Sequence, residues 1–325
     1  MLAGSDGREI VRALFEIIDK INDDNMLTTS ILCTLDGLVF DELSNVELLV
    51  KTLKHPKKPV DIITTCLRLI QDDDVKIVEG ACLVLASFLA KVLIGPAQAD
   101  YLDPLERLLN FLVGLDNSIN RDAVVYCLLN LFKVERARES WVKKGGVRDI
   151  LAPVLRDRSG SPQVIYATIC CLWQISFDRS NMWLFEKQDL ELVKNVINEL
   201  RKAEKEKILR VSLALLKNLC EESNATVEIM VENKLLREID AIAKRVIKDE
   251  DVKAYIEQVA TIMEQSIKIL SSYEKYISEL QNGNLVPGVT HTEAFWKENV
   301  RHFEENRFEN IAKIAALLQS TDETC

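Results

Sequence analysis

An internal repeat constrains this chain more than any other feature of its sequence. Three segments align, and Asn130, Gln174 and Asn218 hold the same position in them at intervals of 44 residues. Ser87 holds that position in an earlier apolar segment, 43 residues before Asn130. Periods of about 40 to 47 residues are typical of armadillo and HEAT repeats, in which each unit is a small group of helices. The spacing therefore predicts a helical-repeat protein.

Turn and capping residues divide each repeat into helices. In the clearest unit the break is Gly145-Gly146, where a residue with positive φ can turn the chain before Val147 begins the next helix. Ser161 followed by Pro162 predicts an N-cap with proline at the first helical position. Only 11 glycines and 7 prolines occur in 325 residues. Stacked helices need few such residues, whereas hairpin and dinucleotide-binding folds need more of them.

The first helix of each repeat is apolar nearly all round, and we expect it to lie between neighbouring units. In the third repeat these apolar positions are Ile208, Leu209, Val211, Leu213, Leu215, Leu216 and Leu219. Such a helix is stabilised by stacking rather than by its own repeat alone. We predict an all-α fold, a right-handed α-solenoid of armadillo or HEAT type followed by the start of a small second helical domain. Further helices, with a less regular period, are expected at 9–21, 28–40, 46–53, 60–70 and 252–280.

Polar side chains on the first helices predict a groove for a partner on the concave face of the solenoid. A projection at about 100° per residue places the following residues on that face: Tyr126, Asn130, Tyr166, Gln174, Arg210, Lys217 and Asn218, with Cys170 and Ala214 between them. The alternative is that these side chains are only solvated or lie between helices, because every solenoid has a concave face whether or not it binds a ligand.

Charge and cysteine placement disfavour several classes of function. The net charge of −10 and the isoelectric point near 5.1 repel nucleic acids and anionic lipids. No C-x-x-C pair occurs and the histidines are scattered, so we predict neither a metal site nor a cofactor. Seven cysteines lie in apolar helical runs, which is typical of buried thiols in a reducing cytosol: Cys33, Cys66, Cys82, Cys127, Cys170, Cys171 and Cys220.

No targeting or membrane segment is expected. The first residues lack the basic start and apolar core of a signal peptide. The longest apolar run, 81–90, is much shorter than the ~20 residues that cross a bilayer.

A change in composition after residue 280 predicts a domain boundary. Residues 281–290 interrupt the helical pattern with Asn, Gly and Pro, and we expect a linker between a helical-repeat domain at 1–280 and a C-terminal helical domain that begins at 291–325. Thr290 and Glu293 predict a capping box, and a second amphipathic run follows at 308–318. About 35 residues are too few to fold alone. The segment is therefore expected to dock on the repeats or to be a truncated domain.

Four tryptophans are candidates for core packing or for binding. Trp141, Trp173 and Trp183 have apolar helical neighbours and are expected in the core. Phe295 and Trp296, after the linker, are expected to dock the small domain onto the solenoid or onto a partner.

Three stretches carry a resemblance to a known family. They are 171–178 (CLWQISFD), 207–212 (KILRVS) with Asn218-Leu219 after it, and 291–299 (HTEAFWKEN), which is the most specific. On these residues the chain resembles the family of the H subunit of the vacuolar-type proton-pumping ATPase (V-ATPase). The resemblance extends over residues 120–318, and it departs from the family at the end, where the small domain normally continues for several helices.

The resemblance implies a non-catalytic regulatory subunit. In that family a large helical-repeat domain clasps the peripheral stalk, and a smaller domain lies between the soluble ATPase sector and the membrane sector. Expected partners are therefore the peripheral stalk, the soluble ATPase sector and the cytosolic part of the membrane-embedded stator subunit. The expected location is the cytosolic face of acidic organelles, without insertion into the membrane. Because the small domain is short here, we expect stalk binding rather than silencing of the detached ATPase sector.

Three other functions fit the sequence less well. An armadillo import adaptor needs a tryptophan four residues before each ladder position, but Tyr126, Cys170 and Ala214 stand there. A scaffold of another cytosolic complex shares the fold but does not explain 291–299. An enzyme is disfavoured because no P-loop, G-x-S-x-G or H-E-x-x-H motif occurs.

Overall fold

Helices and short turns make up the described part of the chain, which contains no strand. The computed structural model describes residues 5–18, 20–21, 24–40, 61–94, 99–114, 119–157, 160–270, 273–283, 285, 288, 290 and 292–318. The helix predicted at 46–53 lies outside these residues. The chain divides into two units, Met1–Phe177 and Asp178–Cys325, which are described in turn.

The first unit contains nine described α-helices, several of which are short. They are α1 (Ser5–Ile18), α2 (Asn25–Phe40), α3 (Ile62–Leu69), α4 (Val75–Val92), α5 (Leu102–Val113), α6 (Arg121–Leu131), α7 (Glu135–Lys143), α8 (Ala152–Asp157) and α9 (Pro162–Ile175). A 3₁₀ turn, Ala99–Tyr101, precedes α5, and a π-helical turn, Val147–Leu151, leads into α8.

A stack of inner helices forms the core of the first unit. Helix α2 packs on α4, α4 packs on α6, and α6 packs on α9. Helix α4 shows why these helices stack, because thirteen of its eighteen residues are buried. A helix buried nearly all round must have neighbours on both sides, as the repeat pattern predicts.

The second unit contains eight described α-helices. They are α10 (Met182–Glu186), α11 (Leu192–Lys202), α12 (Glu206–Glu222), α13 (Asn224–Glu232), α14 (Leu235–Ala243), α15 (Glu250–Leu270), α16 (Tyr273–Gln281) and α17 (Glu293–Leu318). Helix α12 packs between α11 and α15, and its apolar positions are buried as predicted. The single run expected at 252–280 is two helices, α15 and α16.

The turn predicted at Gly145-Gly146 is present, and both glycines are needed for it. Gly145 has φ +80°, a conformation that costs little only for glycine. Gly146 lies against the indole of Trp141, so that a Cβ atom built on Gly146 would meet Trp141 Cε2 at 2.2 Å. The predicted cap is also confirmed, since the Ser161 side chain accepts a hydrogen bond from Val164 N, and Pro162 opens α9.

Burial corrects two predictions about single side chains. Cys33 is exposed on α2, whereas the other six cysteines in the described residues are buried. Burial raises the pKa of the Cys82 and Cys220 thiols to about 12.

Trp183 is 43% exposed, with Lys187 Nζ 4.7 Å from its ring centroid, so the prediction that it lies in the core is wrong. Trp141 is fully buried and Trp173 is half-buried.

Candidate partner-binding faces

Residues at equivalent repeat positions form a hydrogen-bonded ladder in the first unit. Asn130 Nδ2 on α6 donates to Ser87 Oγ on α4 at 3.1 Å, and Ser87 Oγ donates to Asp36 Oδ1 on α2 at 2.9 Å. Lys133 Nζ donates to Asn130 Oδ1 at 3.4 Å. The alignment of Ser87 with Asn130 thus corresponds to a direct contact. Asp36 was not predicted, because it lies 51 residues before Ser87.

The acid of this ladder is partly buried. Burial raises the pKa of the Asp36 carboxyl above its usual value, while the Ser87 hydrogen bond and the charge of Lys91 oppose that shift. A carboxylate in this position is held by one hydroxyl and a nearby cation rather than by water alone. The ladder therefore fixes the relative height of α2, α4 and α6, and Ser87 and Asn130 are themselves buried in it.

The remaining groove residues of the first unit lie on α6 and α9, where Gln174 follows Trp173. Tyr126 on α6 and Tyr166 and Gln174 on α9 are half-buried. Gln174 Oε1 is buried and accepts no hydrogen bond from any described residue. Next to it, Trp173 packs edge to face on Phe177 with 5.1 Å between ring centroids, and Phe177 is 61% exposed.

This aromatic pair was missed from the sequence. Trp173 and Phe177 are four residues apart at the end of α9 and in the turn after it, and side chains at that spacing on a helix are neighbours. The spacing could therefore have predicted the contact. Asn130, Cys170 and Ala214, which the projection placed on the groove face, are buried instead.

The groove residues of the second unit carry charges that are already paired. Arg210 Nη1 on α12 lies 3.2 Å from Asp249 Oδ2 and 3.8 Å from Asp251 Oδ2. Lys217 Nζ donates to Glu221 Oε1 at 2.6 Å. Asn218 is half-buried. The two cations expected to meet a partner are thus neutralised within the chain, although exposed pairs of this kind are weak and can exchange partners.

Phe295 and Trp296 lie in a cluster of aromatic side chains between α16 and α17. Phe295 is buried, and its ring centroid lies 5.4 Å from that of Tyr276. Trp296 is half-buried and stacks on Phe303 at 4.6 Å. Tyr273 adds hydrogen bonds, since its hydroxyl donates to His302 O at 2.9 Å and accepts from Asn310 Nδ2 at 2.8 Å.

The aromatic cluster therefore joins the post-linker helix to α16 within the second unit. Helix α16 is in turn tied to α13 by Lys275 Nζ, which lies 3.0 Å from Glu228 Oε1.

The start of α17 differs from the predicted capping box. The cap is Thr292, whose Oγ1 accepts from Phe295 N at 3.2 Å, and Glu293 is the first helical residue. Thr290 is buried two residues earlier. The run predicted at 308–318 belongs to the same helix, although Phe308 has φ +62° and interrupts its regular geometry.

Metal-binding clusters and membrane-spanning helices are both absent from the described residues. No group of three or more His, Cys, Asp or Glu side chains lies there in an arrangement that could hold a metal ion. None of the described helices is both long enough and apolar enough to cross a membrane.

The solved structures that resemble this chain define its class. A designed armadillo repeat protein matches with a TM-score of 0.56 and 14% identity, covering 79% of this chain and 99% of that one. A computationally designed armadillo repeat protein for modular peptide recognition matches with a TM-score of 0.54 and 14% identity, covering 77% and 99%. The predicted all-α, armadillo-type solenoid fold is confirmed. The protein is an armadillo-type helical-repeat protein.

Sequence comparison then gives the family. Two family models, both described as the H subunit of the V-ATPase, match residues 1–263 and 269–325. The V-type proton ATPase H subunit of Drosophila melanogaster is 27% identical over 321 residues, covering 96% of this chain and 67% of that protein. The H subunit of Dictyostelium discoideum is 30% identical over 163 residues, covering 50% and 36%. The chain belongs to the V-ATPase H-subunit family, as the resemblance predicted, and spans about two thirds of the fly protein.

Proposed function

We propose that this chain is a non-catalytic regulatory subunit of the V-type proton-pumping ATPase, which braces the peripheral stalk and couples or regulates ATP hydrolysis and proton transport. The observation that carries the proposal is the match of two family models in sequence, at 1–263 and 269–325. A chain that carried only the repeat fold would match armadillo proteins in general. Here both the repeats and the segment after them match models described as the V-ATPase H subunit, which supports the proposal.

The stacked helices suit a bracing role. Helix α4 is buried on nearly all sides, and the ladder from Asp36 to Asn130 links it to α2 and α6. Close-packed interiors transmit strain with little deformation. We propose that the stalk binds along the predicted groove, where half-buried Tyr126 and Tyr166 offer apolar area.

The C-terminal part of the second unit is proposed to have a different role from the repeats. The division into repeats at 1–280, a linker at 281–290 and a small domain from 291 follows the sequence pattern, and Phe295 and Trp296 hold the start of that domain on α16. We propose that this end of the chain faces the soluble ATPase sector and the cytosolic part of the membrane-embedded stator subunit. The chain would then be peripheral on the cytosolic face of acidic organelles, with no catalytic site or cofactor of its own.

Complementation tests the proposal. The chain is expressed in cells whose own H-subunit gene has been deleted, and ATP-driven proton uptake is measured in vesicles from acidic organelles. We expect uptake above that of the deletion strain, together with association of the chain with the vesicles. Uptake equal to that of the deletion strain at matched expression would refute a coupling role and leave a scaffold of another complex as the better description.

Matched tyrosine variants test the groove. Tyr126→Ala removes a half-buried ring from α6, and Tyr255→Ala removes a half-buried ring from α15 that is not part of the predicted groove. Binding to purified peripheral-stalk subunits is measured by biolayer interferometry. We expect Tyr126→Ala to weaken binding about tenfold, as for a moderate hot spot, and Tyr255→Ala to leave it unchanged. Equal affinities in the two variants would move the stalk site away from this face.

A further inference from the structure

The side chain of one valine is exposed to solvent on the loop between α14 and α15. Val246 is 92% exposed, the largest exposure of any large hydrophobic side chain in the described residues. The loop, residues 244–249, lies beside the last residue of α11 and the loop that follows it, residues 202–205. Together these two segments are called the paired loops. An exposed valine gains no energy from burial within the folded chain, and its apolar surface is available to a partner.

The arginine before this valine fixes the paired loops to each other. Arg245 Nη1 donates to Ala203 O at 2.9 Å, and its Nη2 donates to Arg201 O at 3.2 Å. A guanidinium is a rigid fork, and two carbonyl acceptors at these distances define its orientation. The chain on the N-terminal side of Val246 is therefore anchored.

A glutamate fixes the loop on the other side of the valine. Glu206 Oε1 accepts from Lys248 N at 2.9 Å, and Glu206 Oε2 accepts from Asp249 N at 3.0 Å. Hydrogen bonds from backbone N–H groups to a carboxylate are charge-assisted and strong. Val246 is thus presented by a loop that is clamped at both ends, which lowers the entropy lost when a partner binds.

A cavity opens beside the valine. Its volume is about 400 Å³, and Leu209, Ala203 and Ile247 contribute apolar surface to its lining. Leu209 and Ala203 are buried, and Ile247 is half-buried. A cavity of this size accepts one or two side chains of another protein.

The paired loops carry lysines that lack partners. The side chains of Lys202, Lys205, Lys244 and Lys248 are exposed and make no hydrogen bond or ion pair with the described residues. Glu204 is the one acid on the paired loops whose side chain is likewise exposed and makes no hydrogen bond or ion pair with the described residues. Four free cations against one free anion give this surface a positive excess on a chain whose net charge is −10.

The remaining charges of this region are engaged. Arg201 Nε lies 3.0 Å from Glu238 Oε1, and Arg210 lies beside Asp249. Arg245 and Glu206 are used by the backbone groups described above. The free lysines are therefore the groups available to a ligand.

We infer that the paired loops form a second docking surface, which binds an acidic segment of a partner protein that inserts an apolar side chain beside Val246. Carboxylates of the segment would contact the lysines, and the apolar side chain would cover Val246 and enter the cavity over Leu209. The inference goes beyond the role in bracing the stalk and does not depend on it. A concave, partly apolar cavity favours a side chain over a flat anionic membrane or a nucleic acid backbone.

Peptide selection tests the inference and does not require the partner to be identified. A phage-displayed library of random dodecapeptides is panned on the whole immobilised chain, with counter-selection on a Lys202→Glu/Lys248→Glu variant. The consensus peptide is synthesised, and its affinity is measured by fluorescence anisotropy. We expect a consensus with several Asp or Glu residues around one large apolar residue, and binding that weakens as salt is added.

Matched variants locate the site on the chain. Val246→Thr keeps the shape of the side chain but replaces one methyl group with a hydroxyl. We expect it to weaken binding about fivefold or more, like the charge-reversed double variant. Lys268→Glu is the charge control, about 27 Å along α15 from the loop, and Val300→Thr is the matched control on α17, where Val300 is 47% exposed. Both controls should bind within about twofold of wild type.

Three outcomes would overturn the inference. These are a consensus without acidic residues, affinities that Val246→Thr leaves unchanged, and a failure to select any peptide. Vesicles of phosphatidylserine and phosphatidylcholine provide the last comparison. Val246-dependent binding to these vesicles, in the absence of peptide binding, would assign the surface to a membrane and refute the peptide site.

Discussion

The contact between Gly146 and Trp141 gives the sharpest prediction of stability. In Gly146→Ala the new Cβ would lie 2.2 Å from Trp141 Cε2 and 2.6 Å from both Cδ2 and Cζ2. Trp141 is fully buried, and its ring packs edge to face on Phe132 with 6.2 Å between centroids. The indole is rigid and has no solvent to move into, so the backbone or the surrounding core must shift. Overpacking of this kind costs about 1–3 kcal/mol.

Gly37→Ala is the matched control for this variant. Gly37 lies within α2, and a Cβ atom built there meets nothing within 4 Å. Alanine in a helix is favoured over glycine by about 0.5–1 kcal/mol, so this variant should be slightly more stable than wild type. Free energies of unfolding from urea titrations, followed by circular dichroism, should therefore differ between the two variants by about 1.5 to 4 kcal/mol.

Introducing Gly146→Ala into a Trp141→Leu variant tests the cause of the destabilisation. Trp141→Leu removes the ring atoms that the new methyl group would meet, so Gly146→Ala should cost less in that background than in wild type. A Gly146→Ala variant as stable as wild type would refute the proposed clash with Trp141. So would an equal loss of unfolding free energy on Gly146→Ala in wild type and in Trp141→Leu.

Three further predictions concern other parts of the chain. Asp36→Asn should stabilise the fold at pH 7, because burial raises the carboxyl pKa and the folded state therefore favours the uncharged form. Below about pH 4 the carboxyl is also protonated in the unfolded state. Urea titrations should show that the variant loses its advantage there. Cys33→Ser should remove a fast-reacting thiol in a timed assay with a thiol reagent, whereas the buried cysteines react only on unfolding. Phe295→Ala should cost about 3–5 kcal/mol in the same titrations and raise protease cleavage within α17, while exposed Phe308→Ala should not.

The helices of the repeats could be predicted because their signal is both local and strong. Helix α12 is buried on so many sides that seven apolar positions mark it in the sequence. The cap at Ser161 and the turn at Gly145 depend on neighbouring residues alone, so their residue types were sufficient. The same holds for the family, whose most specific string, 291–299, is contiguous.

What could not be predicted depends on contacts between distant residues. Asp36 joins the ladder at a spacing of 51 residues, which breaks the regular period. Thr290 and Thr292 both precede the acid at the start of α17, and tertiary burial of Thr290 leaves the cap to Thr292. The exposure of Val246 follows from clamps by Arg245 and Glu206, and neither clamp has a sequence signature.

Affinity purification tests the membership of this chain in a proton pump most directly. The tagged chain is purified from its own cells under mild conditions, and the bound proteins are identified and quantified by mass spectrometry beside a tag-only control. We expect subunits of the peripheral stalk and of the soluble ATPase sector, recovered in a fixed ratio to the chain. Recovery of the chain without any pump subunit, or with a different complex in fixed ratio, would show that it is not a subunit of the pump.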